Sequence, residues 1–293
     1  MKVGVTVPAY ELASRRPRSF QEMAADVLRA EQLGYDSAWV MDHILVERDG
    51  RRRGAGPEPL VFLSHVAAST ERIRLGTLVL CAAFRPPVQL AREAKALNEG
   101  SDGRFILGLG AGWHQPEFDA FGLPFDHLVG RFEDYLEVLT RLLGEGPASY
   151  QGRYQVLRQG QVFGPPAPLP WVAAAGPRMR RLTGRLASGW NGAWYGSDVT
   201  RFRADRAEVE AAVRAAGRDA SQFEYSAGLF VLPGGDASDA RVTGGSLEQI
   251  AGALESYRAA GCDHAILNFA PSPFAEVDPA HPAQLAPLLD RLR

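Results

Sequence analysis

The sequence predicts an α/β fold in which eight parallel strands close into a (β/α)8 barrel. Two observations lead to this prediction: short apolar strands alternate with helical segments along the whole chain, and the strands number eight. Eight strands in this alternation favour a closed barrel, and an open doubly wound sheet is the alternative. The chain has 293 residues, 46% of them hydrophobic, which suits one such domain.

Strands are predicted where short apolar runs are bounded by turn residues. In chain order they are Val3–Val7, Ser37–Met41, Ile73–Leu80, Arg104–Leu109, Trp171–Ala174, Gly189–Trp194, Phe223–Leu232 and His264–Phe269. Helices are predicted where apolar residues recur at a spacing of three and four. They are Phe20–Leu33, Leu60–Ser69, Val88–Glu99, Leu128–Leu143, Arg178–Ala187, Val199–Ala216, Ser246–Ala260 and Pro282–Arg293.

Three segments interrupt the alternation and are predicted insertions in one domain of residues 1–293. Residues 47–56 are rich in Arg and Gly, residues 146–170 in Gly, Pro and Gln, and residues 233–245 in Gly, Asp and Ser. The first and third follow strands, so they belong to the barrel face on which active sites are built. Loops of this length are often functional lids.

Composition excludes several classes of partner. The formal net charge is −2, which argues against nucleic acid. No apolar run reaches the roughly 18 residues of a membrane span, and the first residues lack a signal-peptide pattern. Two distant cysteines, Cys81 and Cys262, fit a reducing cytoplasm better than a disulfide framework. We therefore expect a cytoplasmic protein that acts on a small molecule.

Chemistry-bearing residues follow the second and third strands, at the end where a barrel opens. A histidine beside a carboxylate, as in Asp42-His43, is a candidate proton donor or acceptor near neutral pH, and a histidine that only packs in the loop is the alternative. Cys81 has no neighbouring base and is predicted to pack rather than to act as a nucleophile. Arg85 either contacts an anion or lies on the surface.

The fourth strand runs into glycines at alternate positions. Position 113 is Trp, so the G-x-G-x-x-G dinucleotide fingerprint is not met. The small residues Gly110, Ala111 and Gly112, with Trp113, instead predict a slot for a planar ligand. His114 either contacts the substrate or faces solvent.

The fifth strand leads through alanines and Gly176 into a helix that carries Arg178. Free N–H groups at this helix N-terminus suit a phosphate, and tight strand–helix packing is the alternative. Neither H-E-x-x-H nor a paired-cysteine spacing occurs, so no metal site is predicted. The G-x-S-x-G motif of serine hydrolases is also absent.

Several segments together resemble the bacterial luciferase-like oxidoreductases, from residue 1 to about 270. They are residues 34–43 (GYDSAWVMDH), 72–79 (RIRLGTLV), 103–122 (from GRFILGLGAGW to EFDAFG) and 185–191 (RLASGWN). The resemblance implies a luciferase-like, TIM-like barrel with insertions and a flavin-type cofactor at its C-terminal mouth. That cofactor is coenzyme F420, a deazaflavin, or FMN. The family often forms homodimers.

The Asp42-His43 pair resembles the deazaflavin-dependent branch, which implies catalytic roles for His43 and Asp42 and a non-prolyl cis peptide at Leu78–Val79 behind the ring. The cofactor contacts implied are Asp42, Leu78, Val79, Cys81, Gly110, Ala111, Gly112, Ala174, Ala175, Gly176 and Arg178. The substrate-side residues implied are Trp113, His114 and Trp194. The family's phosphate loop is commonly richer in glycine than the alanines at 173–175.

The resemblance implies hydride transfer between C5 of the deazaflavin and a small organic substrate, with His43 exchanging a proton. An FMN-dependent monooxygenase that uses reduced flavin and oxygen is the alternative, and a flavin-binding barrel without turnover is a third. The cluster Arg48, Arg51, Arg52 and Arg53 follows Asp42-His43. It either contacts an acidic cofactor tail or an anionic substrate, or forms a solvated loop.

Overall fold

Eight parallel strands form a barrel in the computed structural model, which describes residues 1–8, 18–48, 51–54, 56–236, 240–270, 278 and 280–293. The barrel strands are β1 (Lys2–Thr6), β2 (Ser37–Val40), β3 (Arg74–Thr77 and Leu80–Cys81), β4 (Phe105–Ile106 and Gly108–Gly110), β5 (Trp171–Ala173), β6 (Gly189–Tyr195), β7 (Glu224–Pro233) and β8 (His264–Asn268).

Neighbouring strands pair in parallel around a complete ring. β1 pairs with both β2 and β8, which joins the two ends of the strand order. The ring closes between β3 and β4, where Leu75 aligns with Phe105 and Leu80 aligns with Leu109. The predicted barrel is therefore confirmed, and the open doubly wound sheet is excluded.

Helices alternate with these strands and cover the barrel. They are α1 (Phe20–Gln32), α2 (Pro59–Ala67), α3 (Pro87–Gly100), α4 (Gln115–Phe121), α5 (Leu128–Leu143), α6 (Pro177–Leu186), α7 (Thr200–Ala215), α8 (Leu247–Ala259), α9 (His281–Leu285) and α10 (Leu289–Leu292). Capping boxes begin α1 and α8, where Ser19 pairs with Glu22 and Ser246 with Gln249. Within the ranges described above, no helix is both long and apolar enough to cross a lipid bilayer.

The third strand, predicted as one run, is divided into two segments at a non-prolyl cis peptide between Leu78 and Val79. The family resemblance implied this bond, and the structure confirms it. A second non-prolyl cis peptide, Ala193–Trp194, lies near the end of β6. Nothing in the sequence analysis predicted it.

The three predicted insertions contain extended segments. Leu45–Arg48 and Arg51–Gly54 form an antiparallel hairpin after β2. Ala148–Gln151 and Val156–Gly160 form a second antiparallel hairpin before β5. Thr243–Gly245 pairs in parallel with the end of β7.

The arginine cluster and the closing helix are two further predictions from the sequence. The side chains of the arginine cluster at positions 48–53 lie outside the described part of the chain, so the role of the cluster stays a prediction. The closing helix predicted from Pro282 to Arg293 is divided into α9, a 3-10 turn (Ala286–Leu288) and α10. Pro287 explains the interruption, because proline has no N–H to continue the helical hydrogen bonds.

Aromatic rings fill the barrel near its N-terminal end. The rings of Trp39, Trp171 and His264 contact one another with centroids 5.6 to 5.7 Å apart. Trp39 Nε1 donates to Ser37 Oγ at 2.6 Å, and that hydroxyl lies 2.6 Å from His264 Nε2. Burial lowers the pKa of His264 well below its ordinary value, so the ring is neutral and can accept from Ser37.

This aromatic cluster supports the site above it. Gly76 makes room for Trp39, because a Cβ at position 76 would lie 2.3 Å from its ring. Leu78 packs into the same cluster and also lines the cavity at the barrel mouth. The packed interior therefore forms the floor of the candidate site.

Candidate active site

A cavity of about 760 Å³ opens at the carboxyl ends of the barrel strands. Its wall is built from residues that end or follow β2 to β6, as expected for a barrel whose functional groups lie on this face. Predicted site residues on this wall are Asp42, His43, Leu78, Val79, Cys81, Gly110, Ala111, Gly112, Trp113, Ala174, Ala175, Gly176 and Trp194. The structure thus brings most of the predicted residues together, and it places His114 and Arg178 off this wall.

His43 is held on the wall by a buried carboxylate. Its Nδ1 lies 2.8 Å from Glu117 Oε2, on the first turn of α4. The other carboxylate oxygen accepts hydrogen bonds from the backbone N–H groups of Ile44 at 2.6 Å and Leu45 at 3.0 Å. Glu117 is only 2% exposed. It therefore fixes both the imidazole and the backbone that carries it.

The charge of Glu117 determines the tautomer of His43. Burial acts to raise the pKa of Glu117, but the hydrogen bond and charge of His43 and the two backbone N–H groups lower it below its ordinary value. An ionised carboxylate only accepts hydrogen bonds, so His43 Nδ1 is protonated in this pair. Glu117 thereby fixes the tautomer of the neutral imidazole, with its hydrogen on Nδ1.

Replacing Glu117 by glutamine is expected to lower the free energy of unfolding by about 1–3 kcal/mol at pH 7. The pKa of Glu117 is lower in the folded chain than the 4.5 of a free glutamate, so its contribution is present above about pH 4.5 and is lost as pH falls through the folded-state pKa. The difference between wild type and E117Q should therefore shrink on acidification. Urea titrations at pH 7 and pH 3.5 measure it.

The matched control for this measurement is Glu99→Gln, at an exposed position of α3. Its effect should be within about 0.5 kcal/mol at both pH values. A difference for E117Q that is as large at pH 3.5 as at pH 7 would show that the charge of Glu117 does not contribute.

Asp42 is part of a buried ion pair. Both carboxylate oxygens bind the Arg85 guanidinium, at 2.7 and 2.8 Å, and Oδ2 also accepts from the N–H of Cys81 at 2.8 Å. Burial raises the pKa of Asp42 above its ordinary value, against the opposing hydrogen bonds and charge of Arg85. The bidentate contact with the guanidinium is that of an ionised carboxylate at neutral pH. Both oxygens of the carboxylate are therefore engaged in hydrogen bonds within the protein. These contacts give Asp42 a positioning role in place of the catalytic role predicted from the sequence.

The anion that Arg85 contacts is thus a side chain of the protein itself. The Arg85 side chain is 10% exposed, and its guanidinium also reaches Glu58 at 3.2 Å. Because Asp42 precedes His43 and holds the N–H of Cys81, the ion pair connects the end of β2 to the end of β3. The surface position considered for Arg85 is incorrect.

Cys81 contributes a small buried side chain to the wall. Burial raises the pKa of its thiol to about 12, which keeps it protonated. Its Sγ would lie 2.9 Å from a Cβ at Gly112, whose φ of +94° also disfavours other residues. The thiol therefore packs against the glycine slot, and it is not a nucleophile.

Gly110 and Gly112 leave part of the cavity wall without side chains. A Cβ at position 110 would lie 2.9 Å from Val79 Cγ2, and one at position 112 would lie 2.5 Å from Phe118. Both positions border the cavity beside the Leu78–Val79 segment. The cavity wall is therefore bare backbone at these two positions, and the slot for a planar ligand stays a prediction.

The N-terminus of α6 closes another side of the cavity. Gly176 is its N-cap, Pro177 follows, and no side chain caps the free N–H groups. The preceding loop is held by Trp190, whose Nε1 donates to Ala174 O at 2.9 Å. An uncapped N-terminus facing a cavity is suited to an anionic group such as a phosphate.

Two tryptophans form the outer walls. Trp113 is 61% exposed and meets the His43 ring edge-on at 5.4 Å. Trp194 stacks on Phe230 with ring centroids 4.7 Å apart. Together they give the region around His43 an apolar, aromatic surface that suits an organic substrate.

His114 and Arg178 do not reach this surface. His114 is buried, and its Nε2 accepts the backbone N–H of Glu47 at 3.0 Å, so it anchors the hairpin after β2. Arg178 Nη2 binds Glu133 Oε2 at 2.6 Å, in a neighbouring cavity. The substrate contact considered for His114 is therefore not supported, because its ring is already used in packing and hydrogen bonding.

Asn191 is a wall residue that the sequence analysis did not single out. It is 3% exposed, its Oδ1 lies 2.7 Å from Ser226 Oγ, and its Nδ2 has no hydrogen-bond partner among the described residues. A buried amide group left unpaired on a cavity wall is a place where a ligand can complete the hydrogen bonding.

These features fit a flavin-type group. The glycine slot accommodates a planar ring, the Asn191 amide offers it a polar contact, and the α6 N-terminus accommodates a phosphate. Across the ranges that the structure describes, no group of three His, Cys, Asp or Glu side chains is placed to hold a metal ion.

Sequence comparison relates the chain to luciferase-like and F420-dependent proteins. A family model described as luciferase-like monooxygenase matches residues 1–254. The F420-dependent glucose-6-phosphate dehydrogenase of Intrasporangium calvum is 33% identical over 198 residues, which cover 65% of this chain and 57% of the relative. The F420-dependent hydroxymycolic acid dehydrogenase of Mycobacterium tuberculosis is 32% identical over 242 residues, which cover 78% and 65%. The chain thus spans less than two thirds of the length of these relatives.

Solved structures show the same fold at low identity. An F420-dependent secondary alcohol dehydrogenase in complex with an F420-acetone adduct superposes with a TM-score of 0.80 at 16% identity, covering 100% of this chain and 99% of that one. The EDTA monooxygenase of Chelativorans sp. BNC1 superposes with a TM-score of 0.79 at 16% identity, covering 99% and 93%. Both share the luciferase-like barrel.

Proposed function

The chain belongs to the luciferase-like monooxygenase family, and from that premise we propose that it is a deazaflavin-dependent oxidoreductase. It binds coenzyme F420 in the barrel-mouth cavity and moves a hydride to or from a small organic substrate. The observation that carries the proposal is the His43–Glu117 pair on the cavity wall. The pair supplies a proton-transfer group beside a slot that suits a planar ring. The F420-dependence in the relatives' names supports the choice of cofactor.

Different residues of the cavity wall contact different parts of the coenzyme. Leu78 and Val79 lie behind the ring, and Gly110 and Gly112 leave space for it. The α6 N-terminus at Gly176 holds the phosphate. When bound, the deazaflavin supplies a carbon, C5, that accepts or releases the hydride.

His43 handles the proton that accompanies the hydride. For an alcohol substrate, Nε2 takes the hydroxyl proton as the neighbouring carbon loses hydride, and for a carbonyl substrate it returns that proton to oxygen. Glu117 keeps Nδ1 protonated and stabilises the imidazolium while Nε2 holds the proton. Trp113 and Trp194 hold the apolar part of the substrate and exclude water from the transfer.

An FMN-dependent monooxygenase is the second candidate, because the matching family model is described as a luciferase-like monooxygenase. The same slot and phosphate site suit FMN, and His43 would then exchange a proton with an oxygenated product. Oxygen consumption that requires reduced FMN and a substrate would favour it.

Titration of the purified protein with F420 and with FMN, followed by the visible absorption of each ring, tests the proposal. F420 is expected to bind at least about tenfold more tightly than FMN, a difference of about 1.4 kcal/mol. Tight FMN binding with no affinity for F420 would contradict the proposal. Failure to bind either would indicate a barrel that works without a flavin.

A glycine variant in the slot and a matched control variant outside it extend this titration. Gly110→Ala places a Cβ 2.9 Å from Val79 in the slot, so it should weaken ring binding. Gly100→Ala, at the end of α3 with no atom within 4 Å of the added carbon, should bind like wild type. Equal loss in both variants would show that the slot is not the ring site.

We extend the proposal to the cellular compartment and the oligomeric state of the protein. Both cysteines are free and buried, which suits a reducing compartment such as the cytoplasm. Residues 1–293 would act as one barrel domain, and the homodimer that the resemblance implies is checked by light scattering.

A further inference from the structure

Three large apolar side chains are exposed where the barrel-mouth cavity opens. Ile44, Trp113 and Phe121 are each between 44% and 61% exposed. Seven large apolar side chains are exposed in the described part of the chain, and these three all belong to the segments that follow β2 and β4. Single exposed apolar residues need no explanation, but a group of them at a cavity marks a binding surface. We call these three residues the apolar rim.

The apolar rim lies around the His43–Glu117 pair. Ile44 directly follows His43, and its backbone N–H donates to Glu117 Oε1 at 2.6 Å. Trp113 meets the His43 ring at 5.4 Å. Phe121 lies four residues after Glu117 on α4, so the two side chains share one face of that helix. The same helix contacts the hairpin strand that continues from Ile44. A chain that leaves the cavity beside His43 therefore passes over this rim.

The charged side chains in the described part of the cavity wall offset one another. Asp42 is paired with Arg85, as described above. Asp205 accepts a hydrogen bond from Arg180, and Arg201 Nε lies 3.7 Å from the same carboxylate. These groups leave little net charge with which an ionic substrate could pair.

Among the described side chains, the charge closest to His43 is negative. It is the ionised carboxylate of Glu117, which lies 2.8 Å from the imidazole. The two lysines of the sequence do not compensate for it, because Lys2 begins β1 at the opposite end of the barrel and Lys95 donates to two backbone carbonyl groups. A carboxylate or phosphate on the substrate would be repelled beside Glu117, whereas an uncharged alcohol or ketone would not.

Resting on the proposed function, we propose that the substrate is an uncharged alcohol or ketone with an apolar chain long enough to reach the rim. Its oxygen lies at His43 Nε2, and its chain leaves the cavity past Trp113 and packs on Ile44 and Phe121. The substrate then covers apolar surface that is otherwise exposed to water, which is favourable. Burial of the chain supplies binding free energy in place of ion pairs.

Binding of 2-alkanones to the protein loaded with oxidised F420, which cannot reduce them, tests the proposal by tryptophan fluorescence. Each methylene contributes about twofold to fourfold in affinity when it is half to fully buried, so 2-octanone should bind at least about tenfold more tightly than 2-butanone. The compound 7-oxooctanoate has the same length as 2-octanone and ends in a carboxylate. It should bind at least about tenfold more weakly than 2-octanone, because its charged end cannot be buried on the rim.

Variants of the rim test where the chain lies. The double variant Ile44→Ala, Phe121→Ala should reduce the ratio between 2-octanone and 2-butanone to within about threefold, because it removes apolar surface. Phe121→Met keeps a large apolar side chain and should retain the wild-type ratio. The matched control is the double variant Val61→Ala, Phe163→Ala, at two exposed positions outside the cavity wall and the rim. It should bind every ketone like wild type.

The outcomes separate the substrate class from the proposed function. If F420 does not bind wild type, the proposed function fails, and the rim is then tested by the same chain-length dependence in the coenzyme-free protein. If F420 binds but affinity does not rise with chain length, or 7-oxooctanoate binds as tightly as 2-octanone, the substrate class is wrong and the proposed function stands. Rim variants that keep the ketone affinities but change the oligomeric state in light scattering would show a protein interface and would also overturn the proposal.

Discussion

Turnover should fall by roughly 10²–10⁴ when His43 is replaced by alanine, because general acid–base catalysis contributes about that factor. His43 lies on the cavity wall with Nδ1 held by Glu117, and in the proposed function its Nε2 exchanges the proton. The affinity for F420 should change much less, since in the proposed function the glycine slot, Leu78 and Val79 hold the ring. Steady-state kinetics with reduced and oxidised F420, together with the binding titration, measure both effects.

His127→Ala is the matched control, because His127 is 60% exposed at the start of α5 and lies outside the barrel-mouth cavity. It should retain turnover within about twofold. The split between turnover and binding adds a second reading: in H43A, kcat should fall while the affinity for F420 stays within a few-fold of wild type. A loss of turnover below tenfold would reduce His43 to a packing residue beside the ring.

Replacing Arg85 alone is expected to be the most destabilising single change in the site. Arg85→Ala leaves the Asp42 carboxylate, 6% exposed, with the Cys81 N–H as its remaining partner in the pair described above. Breaking a buried ion pair from one side costs about 3–5 kcal/mol, because the charge that remains is buried without compensation. Urea unfolding at pH 7 measures the loss.

A double-mutant cycle separates the ion pair from the volume of the side chains. The combination Asp42→Asn, Arg85→Met removes both charges and keeps much of the packing, so it should be more stable than R85M alone by at least about 1 kcal/mol. The single variants and the double variant are unfolded in parallel. Additive effects would mean that Asp42 and Arg85 are not coupled, in conflict with their bidentate contact.

The sequence predicted the barrel because its signals are local. Strand and helix periodicities depend on neighbouring residues, and eight repeats of the pattern leave few ways to bury every strand. The errors fall where a local signal is weak. The closing helix was predicted through Pro287, and the short helix α4 (Gln115–Phe121) was not predicted.

The candidate site was predicted as a set of strand ends, and the structure placed most of them on one cavity. What the sequence could not supply were the hydrogen-bond partners that come from other strand–helix loops. Glu117 is separated from His43 by 74 positions, and Arg85 is separated from Asp42 by 43. A carboxylate between apolar residues one turn after the glycine slot was the available signal for Glu117. Nothing local indicated the unpaired amide of Asn191.

By itself, the sequence determined the fold class and predicted the end of the barrel that carries the candidate site and the glycines that line it, because each depends on periodicity or on glycine at a particular position. Tertiary structure decided how each polar residue is used. It committed Asp42 to Arg85 and His114 to the Glu47 backbone, and it gave His43 the carboxylate of Glu117. The physical reason is that a buried polar group must be paired. Its partner is whichever group the packing brings within hydrogen-bond distance.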